Sequence, residues 1–224
     1  MTKPMSSGKK ALIFAKLAQL YTQMDEAYTA SAQALGLSCA GCADNCCETF
    51  FQHHTYLEWA YLWEGLRALP KERLDAIKSD AENWVVRHRN PILPGARPRV
   101  MCPLNLGQGG EGRCGLYPHR MMICRMHGVP NVLMRPGRPT QPARPGLPMR
   151  PGPSSQQMER RAFPGCDRAQ ELGKTCEPVL LDRTPLLSAL ARLEMEFVGP
   201  ERMRKGPRVD LTLAEMILMG PPKI

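Results

Sequence analysis

Four thiols fall within nine residues in the stretch SCAGCADNCCE: Cys39, Cys42, Cys46 and Cys47. A soft metal needs several thiolates converging on one point, and each must lose its proton to bind. Cys39 and Cys42 make the Cys-x2-Cys chelate loop shared by zinc and iron–sulfur sites. Neighbouring side chains in extended backbone point apart, so Cys46 and Cys47 divide between two metals or between two corners of a cluster assembly. A second set, Cys102, Cys114 and Cys124, adds three sulfurs with eleven and nine residues between them. Cys166 or Cys176 completes eight, a number that suits two four-ligand sites, either iron–sulfur or zinc. The plain alternative is ordinary buried cysteine, which fits Cys166 and Cys176 best because neither has a tight chelate spacing.

Loops of this length between ligands favour iron–sulfur over zinc, and the pattern lacks the CxxxCxxC spacing of radical enzymes. Zinc would predict closed tetrahedral sites that stabilise the fold and do little else. Among nitrogen donors, His53 and His54 precede a helix, while His119 and His127 flank Cys124 and are the better substitutes for a missing sulfur. Each is otherwise an ordinary imidazole near the surface or behind a ligand. Arg120 and Arg125 are expected to face the negative charge that four thiolates give a cluster. The alternative for both is a salt bridge to Glu58 or a neighbour.

SCAGCADNCCETF, then Glu58, then MCPLNLGQGGEGRCGLYPHRMMICR resembles the YkgJ-type CxxCxxCC family, a zinc- or iron-chelating domain. Cys102, Cys114, Tyr117, Arg120, Cys124 and Arg125 fall in that family's places. FPGCDRAQELGK around Cys166 is similar to the glycine-bearing cysteine segment near the family's end. The resemblance covers roughly residues 39 to 176 and implies a metal-binding role for the ordered cysteines. Two features depart from it: the opening reads CxxCxxxCC, one residue longer, and Met121 follows Arg120 where proline is frequent. The longer opening, with CCETFFQHHTYLEWAYL, is similar to the cysteine segment of flagellin lysine methylases. Those relatives carry an iron–sulfur site and use S-adenosylmethionine, but no glycine-rich strand-to-helix segment for that cofactor is visible here.

The elements that must position these residues read as helices. Ile13, Leu17, Leu20, Met24 and Tyr28 recur at helical spacing over residues 9 to 36, and Gly36 supplies a stop. Thr55-Tyr56-Leu57-Glu58 matches a capping box for a second helix. A third opens at Pro70 and runs to about His88, with Leu74, Ile77, Ala81 and Trp84 on one face. Two short helices close the chain, one after Thr184-Pro185 and one near Leu211 to Met219, and no strand with clear alternation stands out. The expected fold is mainly α: a small helical domain with long, metal-pinned cysteine-rich loops. Its organisation reads as an N-terminal helix over 1–37, a cysteine-cluster domain over 38–180 with a Pro/Arg-rich insertion at about 130–160, and C-terminal helices over 181–224 packed on the same domain.

The composition agrees with a modest core and much loop: aromatic residues are 6% of 224, against 22 prolines and 19 glycines. The odd count of nine cysteines, with no evident signal peptide or membrane-spanning run, leads us to expect a cytoplasmic, reduced setting. The net charge of +9 is concentrated. The tract MRPGRPTQPARPGLPMRPGPSS, residues 134 to 155, should be extended, polyproline-like or disordered, and Arg202, Arg204, Lys205 and Arg208 form a second basic cluster. The leading expectation is an iron–sulfur protein, 4Fe-4S by preference, acting in electron transfer or metal and cluster handling with a redox or acceptor protein. A zinc-stapled module with a basic arm for nucleic acid or an acidic protein is the alternative. A protein-modifying, methylase-like enzyme is the third.

Overall fold

The computed structural model describes residues 5–39, 46–89, 99–106, 114–136 and 158–223. Helix α1 spans Ser7–Leu35. Its N-cap Ser6 accepts from the Lys9 amide, and Gly36 ends it at φ 67°, a left-handed conformation that glycine adopts without a Cβ penalty. Ile13, Leu17, Leu20 and Met24 are buried along one face, as the spacing predicts, with Tyr21 buried beside them and Tyr28 half-buried. Strand β1 (Gln52–His53) leads into α2 (Tyr56–Arg67), and α3 (Lys71–Arg89) begins one residue after Pro70. Then follow α4 (Met122–Arg125), β2 (Asn131–Pro136), β3 (Met158–Phe163), α5 (Asp167–Leu172), β4 (Leu181–Asp182), α6 (Thr184–Val198), α7 (Pro200–Lys205), β5 (Leu211–Thr212) and α8 (Leu213–Leu218).

The described chain is mainly α, with two small sheets that the sequence did not announce. In one, β1 pairs antiparallel with β5. In the other, β2 lies between antiparallel β3 and parallel β4. Strands of two residues are too short to show alternation. The β2–β3 pair takes in the start of the basic tract, where Met134 pairs with Arg160, and Val132 and Leu133 just before it are buried. The insertion expected at about 130–160 thus begins as a sheet strand; residues 137–157 of the proline tract lie outside the described residues. Helices α5 and α7 are also additions, α7 carrying Arg202, Arg204 and Lys205 of the second basic cluster.

Two apolar clusters hold these elements. The first joins α1 to α2, α4 and α6 through Leu17, Tyr21, Met24, Leu57, Met122 and Phe197. The second joins α2, α3 and α8 through Trp59, Trp63, Leu66, Ile77, Trp84 and Met216. Each fully buried side chain contributes about 1.5–3 kcal/mol. The indoles of Trp59 and Trp63 both donate to the Met216 carbonyl, at 3.0 and 2.9 Å, and so fasten α8 to α2.

The capping of α2 differs from the local box. Thr55 Oγ1 does accept from the Glu58 amide at 3.4 Å. The Glu58 carboxylate, however, turns into the core, accepting from Tyr21 Oη at 2.9 Å, Thr55 Oγ1 at 2.8 Å and the Met122 amide at 2.7 Å. The free amides of Tyr56 and Leu57 are instead met by Glu194 of α6, at 2.9 and 2.8 Å. A reciprocal capping box does form elsewhere, between Thr212 and Glu215 at the start of α8.

Candidate metal centre

Cys46, Cys47, Cys102, Cys114 and Cys124 line one cavity that is partly open to solvent. Local backbone bonds bring them there. The short 3-10 turn Cys46–Glu48 presents the adjacent pair, and the Cys47 carbonyl accepts from the Cys102 amide at 2.9 Å. Asn105 and Cys114 form an isolated antiparallel bridge, with the Gly115 amide bonded to the Leu104 carbonyl at 2.7 Å. Helix α4 supplies Cys124 from the far side. None of the described cysteines is in a disulfide.

The remaining thiols divide. Cys39, just after α1, lies 4.0 Å from Tyr28 Oη, and the Cys166 thiol also acts electrostatically on Tyr28. Neither lines the cavity. Cys176 stands apart and exposed, near the carbonyls of Ala34 and Glu177 at 4.0 and 3.8 Å. Cys42 lies outside the described residues. Among the described residues no three His, Cys, Asp or Glu side chains form a group arranged to hold a metal ion.

Arg120 and Arg125 take different parts. Arg120 lines the cavity and donates to the Cys124 carbonyl. Burial works against its charge, but Cys124, Cys46, Tyr117 and Cys114 outweigh this and raise its pKa above the ordinary arginine value. Arg125 is a fastener, its side chain 2% exposed. Its Nε donates to the Arg120 carbonyl at 2.5 Å and its Nη2 to those of Tyr117 and Pro118 at 2.8 and 2.9 Å. Its ion pair is with Asp25 of α1 at 2.5 Å rather than with Glu58, and its guanidinium lies 4.2 Å from the Tyr21 ring centroid.

The thiols do not share one protonation tendency. Burial pushes Cys102 and Cys114 up and Cys124 up to about 12. Cys46 is raised first by its hydrogen bond to Cys47 and then by burial. Cys47 is lowered to about 6, first by that same hydrogen bond, with Asn105 and the charge of Arg120 assisting against burial.

His119, His127 and His53 also line the cavity, and burial lowers the pKa of each, that of His53 to about 3. His119 packs against Tyr61 with ring centroids 4.4 Å apart. A Cβ on Gly65 would come within 2.5 Å of His119 Nδ1, so only glycine on that turn of α2 admits the ring. Sequence reasoning missed the apolar wall of Phe51, Trp84, Met121, Leu213 and Ala214. Their arrival from the residue before β1, from α3, from the N-cap of α4 and from α8 depends on tertiary packing, and no spacing signals it. Set beside known proteins, the chain matches no family model, no curated protein and no solved structure.

Proposed function

We propose that this chain is a cysteine-ligated metal protein, with an iron–sulfur centre of the 4Fe-4S type, working in electron transfer or in holding and delivering metal or clusters to an acceptor protein. The observation that carries the reading is the gathering of Cys46, Cys47, Cys102, Cys114 and Cys124, distant in sequence, around one cavity as free thiols. The donor chemistry fits a soft cation. Burial pushes the Cys102, Cys114 and Cys124 thiols up, and Arg120 is the one guanidinium lining the cavity among the described residues; a bound metal ion deprotonates coordinating thiols outright.

Those five residues would hold the centre, with Cys39, Cys42 and Cys166 completing the set of eight. An iron–sulfur cluster supplies one-electron exchange when bound. The chain's own part is to hold it, to offset its negative charge with Arg120, and to wall it from water with Phe51, Trp84 and Met121. The resemblance to the YkgJ-type family rests on the same cysteine order and supports the same reading.

The test is iron, zinc and acid-labile sulfide analysis on protein purified without air. Iron with matching sulfide and a broad visible absorbance supports the proposal. Colourless protein with stoichiometric zinc replaces iron by a zinc staple, and protein without bound metal overturns the reading.

A further inference from the structure

Phe163 and Arg183 both approach Asn131 on the three-stranded sheet. Phe163 on β3 is the register partner of Asn131 on β2. On β4 the register partner of Asn131 is buried Leu181, and Arg183, directly after that strand, donates from Nη1 to Asn131 Oδ1 at 3.3 Å. The Arg183 guanidinium lies 5.5 Å from the Phe163 ring centroid. Arg161, two residues along β3 and so on the same face, lies 5.0 Å from it. Arg135 continues the face along β2, about 13 Å from Asn131 at the rise of an extended strand.

This face is cationic and unbalanced. Arg135 and Arg161 are exposed, while Arg183 is half-buried with no hydrogen-bond partner for its Nε. Among the described residues none of the three is in an ion pair. Glu159 stands opposite Arg135 in register; Asp182 belongs to the other face, with Val132, and accepts from the Thr184 amide at 2.8 Å. A half-buried guanidinium without an anion is costly unless a ligand provides one.

We propose that this sheet face binds single-stranded nucleic acid, with Arg135, Arg161 and Arg183 taking backbone phosphates and the arginine-flanked Phe163 receiving a base. Cations spread along extended strands suit a repeating polyanion better than one small anion, and an aromatic ring beside guanidinium planes is a surface on which unstacked bases settle. A duplex cannot offer its base faces to such a surface. The proposal rests on the sheet and is independent of the metal centre.

The experiment is filter binding of the full chain to a 20-nucleotide oligothymidylate across about 50 to 300 mM salt, the range over which phosphate contacts are lost. Binding should weaken steeply with salt. The variant R135Q/R161Q/R183Q should flatten the log–log salt slope by about 2, at about 0.7 per phosphate contact. R135Q/R161Q, at two exposed positions, should flatten it by about 1.4 should the triple variant fail to fold. Phe163→Leu should weaken binding about tenfold through lost stacking. Metal content serves as the separate readout and should not change. The proposal is overturned by an absence of binding at the lowest salt, by unchanged slopes in both arginine variants, or by equal affinity for duplex DNA. Equal affinity for polyglutamate of matched charge would also overturn it, in favour of an acidic protein.

Discussion

The Cys47 carbonyl accepts the Cys102 amide hydrogen at 2.9 Å, so the backbone itself sews the first group of cysteines to the second. The bond lies beside the cavity that both side chains line. Five thiols then share one neighbourhood, and their substitution should not be equivalent to that of a thiol elsewhere.

Cys124→Ala and Cys102→Ala are therefore expected to lose most of the bound metal, while Cys176→Ala, at an exposed sulfur outside the cavity, keeps it. Metal analysis of the three variants, prepared side by side without air, checks this. Equal retention in all three would remove the cavity from the account.

Glu58→Ala should be far costlier than an ordinary helix-cap substitution. It strands the Tyr21 hydroxyl and the Met122 amide in the core, where unsatisfied donors cost about 1–3 kcal/mol each. Urea unfolding followed by circular dichroism should show a loss of about 2–5 kcal/mol. A loss near that of a simple cap, about 1 kcal/mol, would contradict the buried role.

Gly65→Ala should displace the His119 ring, because the added Cβ lands 2.5 Å from Nδ1. A cost of about 1–3 kcal/mol is expected for the overpacking. Proton NMR should show the His119 ring signals moved, while an alanine at exposed Gly8, which meets nothing within 4 Å, leaves them in place.

Stability of the metal-free chain should fall in mild acid through His53. Its folded pKa is lowered to about 3 by burial from an ordinary 6.5, so the unfolded chain takes up a proton that the folded one refuses. The contribution is complete above 6.5 and is lost as pH falls from there towards 3, at about 1.4 kcal/mol per pH unit. At pH 5 the loss is about 2 kcal/mol. Comparing urea midpoints at pH 7 and pH 5 for the wild type and His53→Leu checks it, with a flatter profile expected for the variant.

The parts legible in the sequence were those set by local chemistry. Gly36 ended α1 and Pro70 preceded α3, and of the eight cysteines named as ligands, Cys46, Cys47, Cys102, Cys114 and Cys124 line one cavity. What escaped was set by contacts between distant segments. Glu58 reads as a cap because Thr55 lies three residues before it, but Glu194, 138 residues beyond Tyr56, takes the amides and frees Glu58 for the core. Strands β2 and β3 hid beside a proline tract, since pairing across residues 137–157 leaves no periodic mark. Arg120 and Arg125 look alike in sequence, yet only Arg120 reaches the cavity, because Asp25 and three loop carbonyls claim Arg125.

The shared acceptor of Trp59 and Trp63 makes the protein its own optical reporter. Both indoles are tethered to α8, and the residues just before Met216 on that helix, Leu213 and Ala214, wall the cavity. Intrinsic tryptophan emission should thus report, on the unlabelled chain, whether that wall is seated.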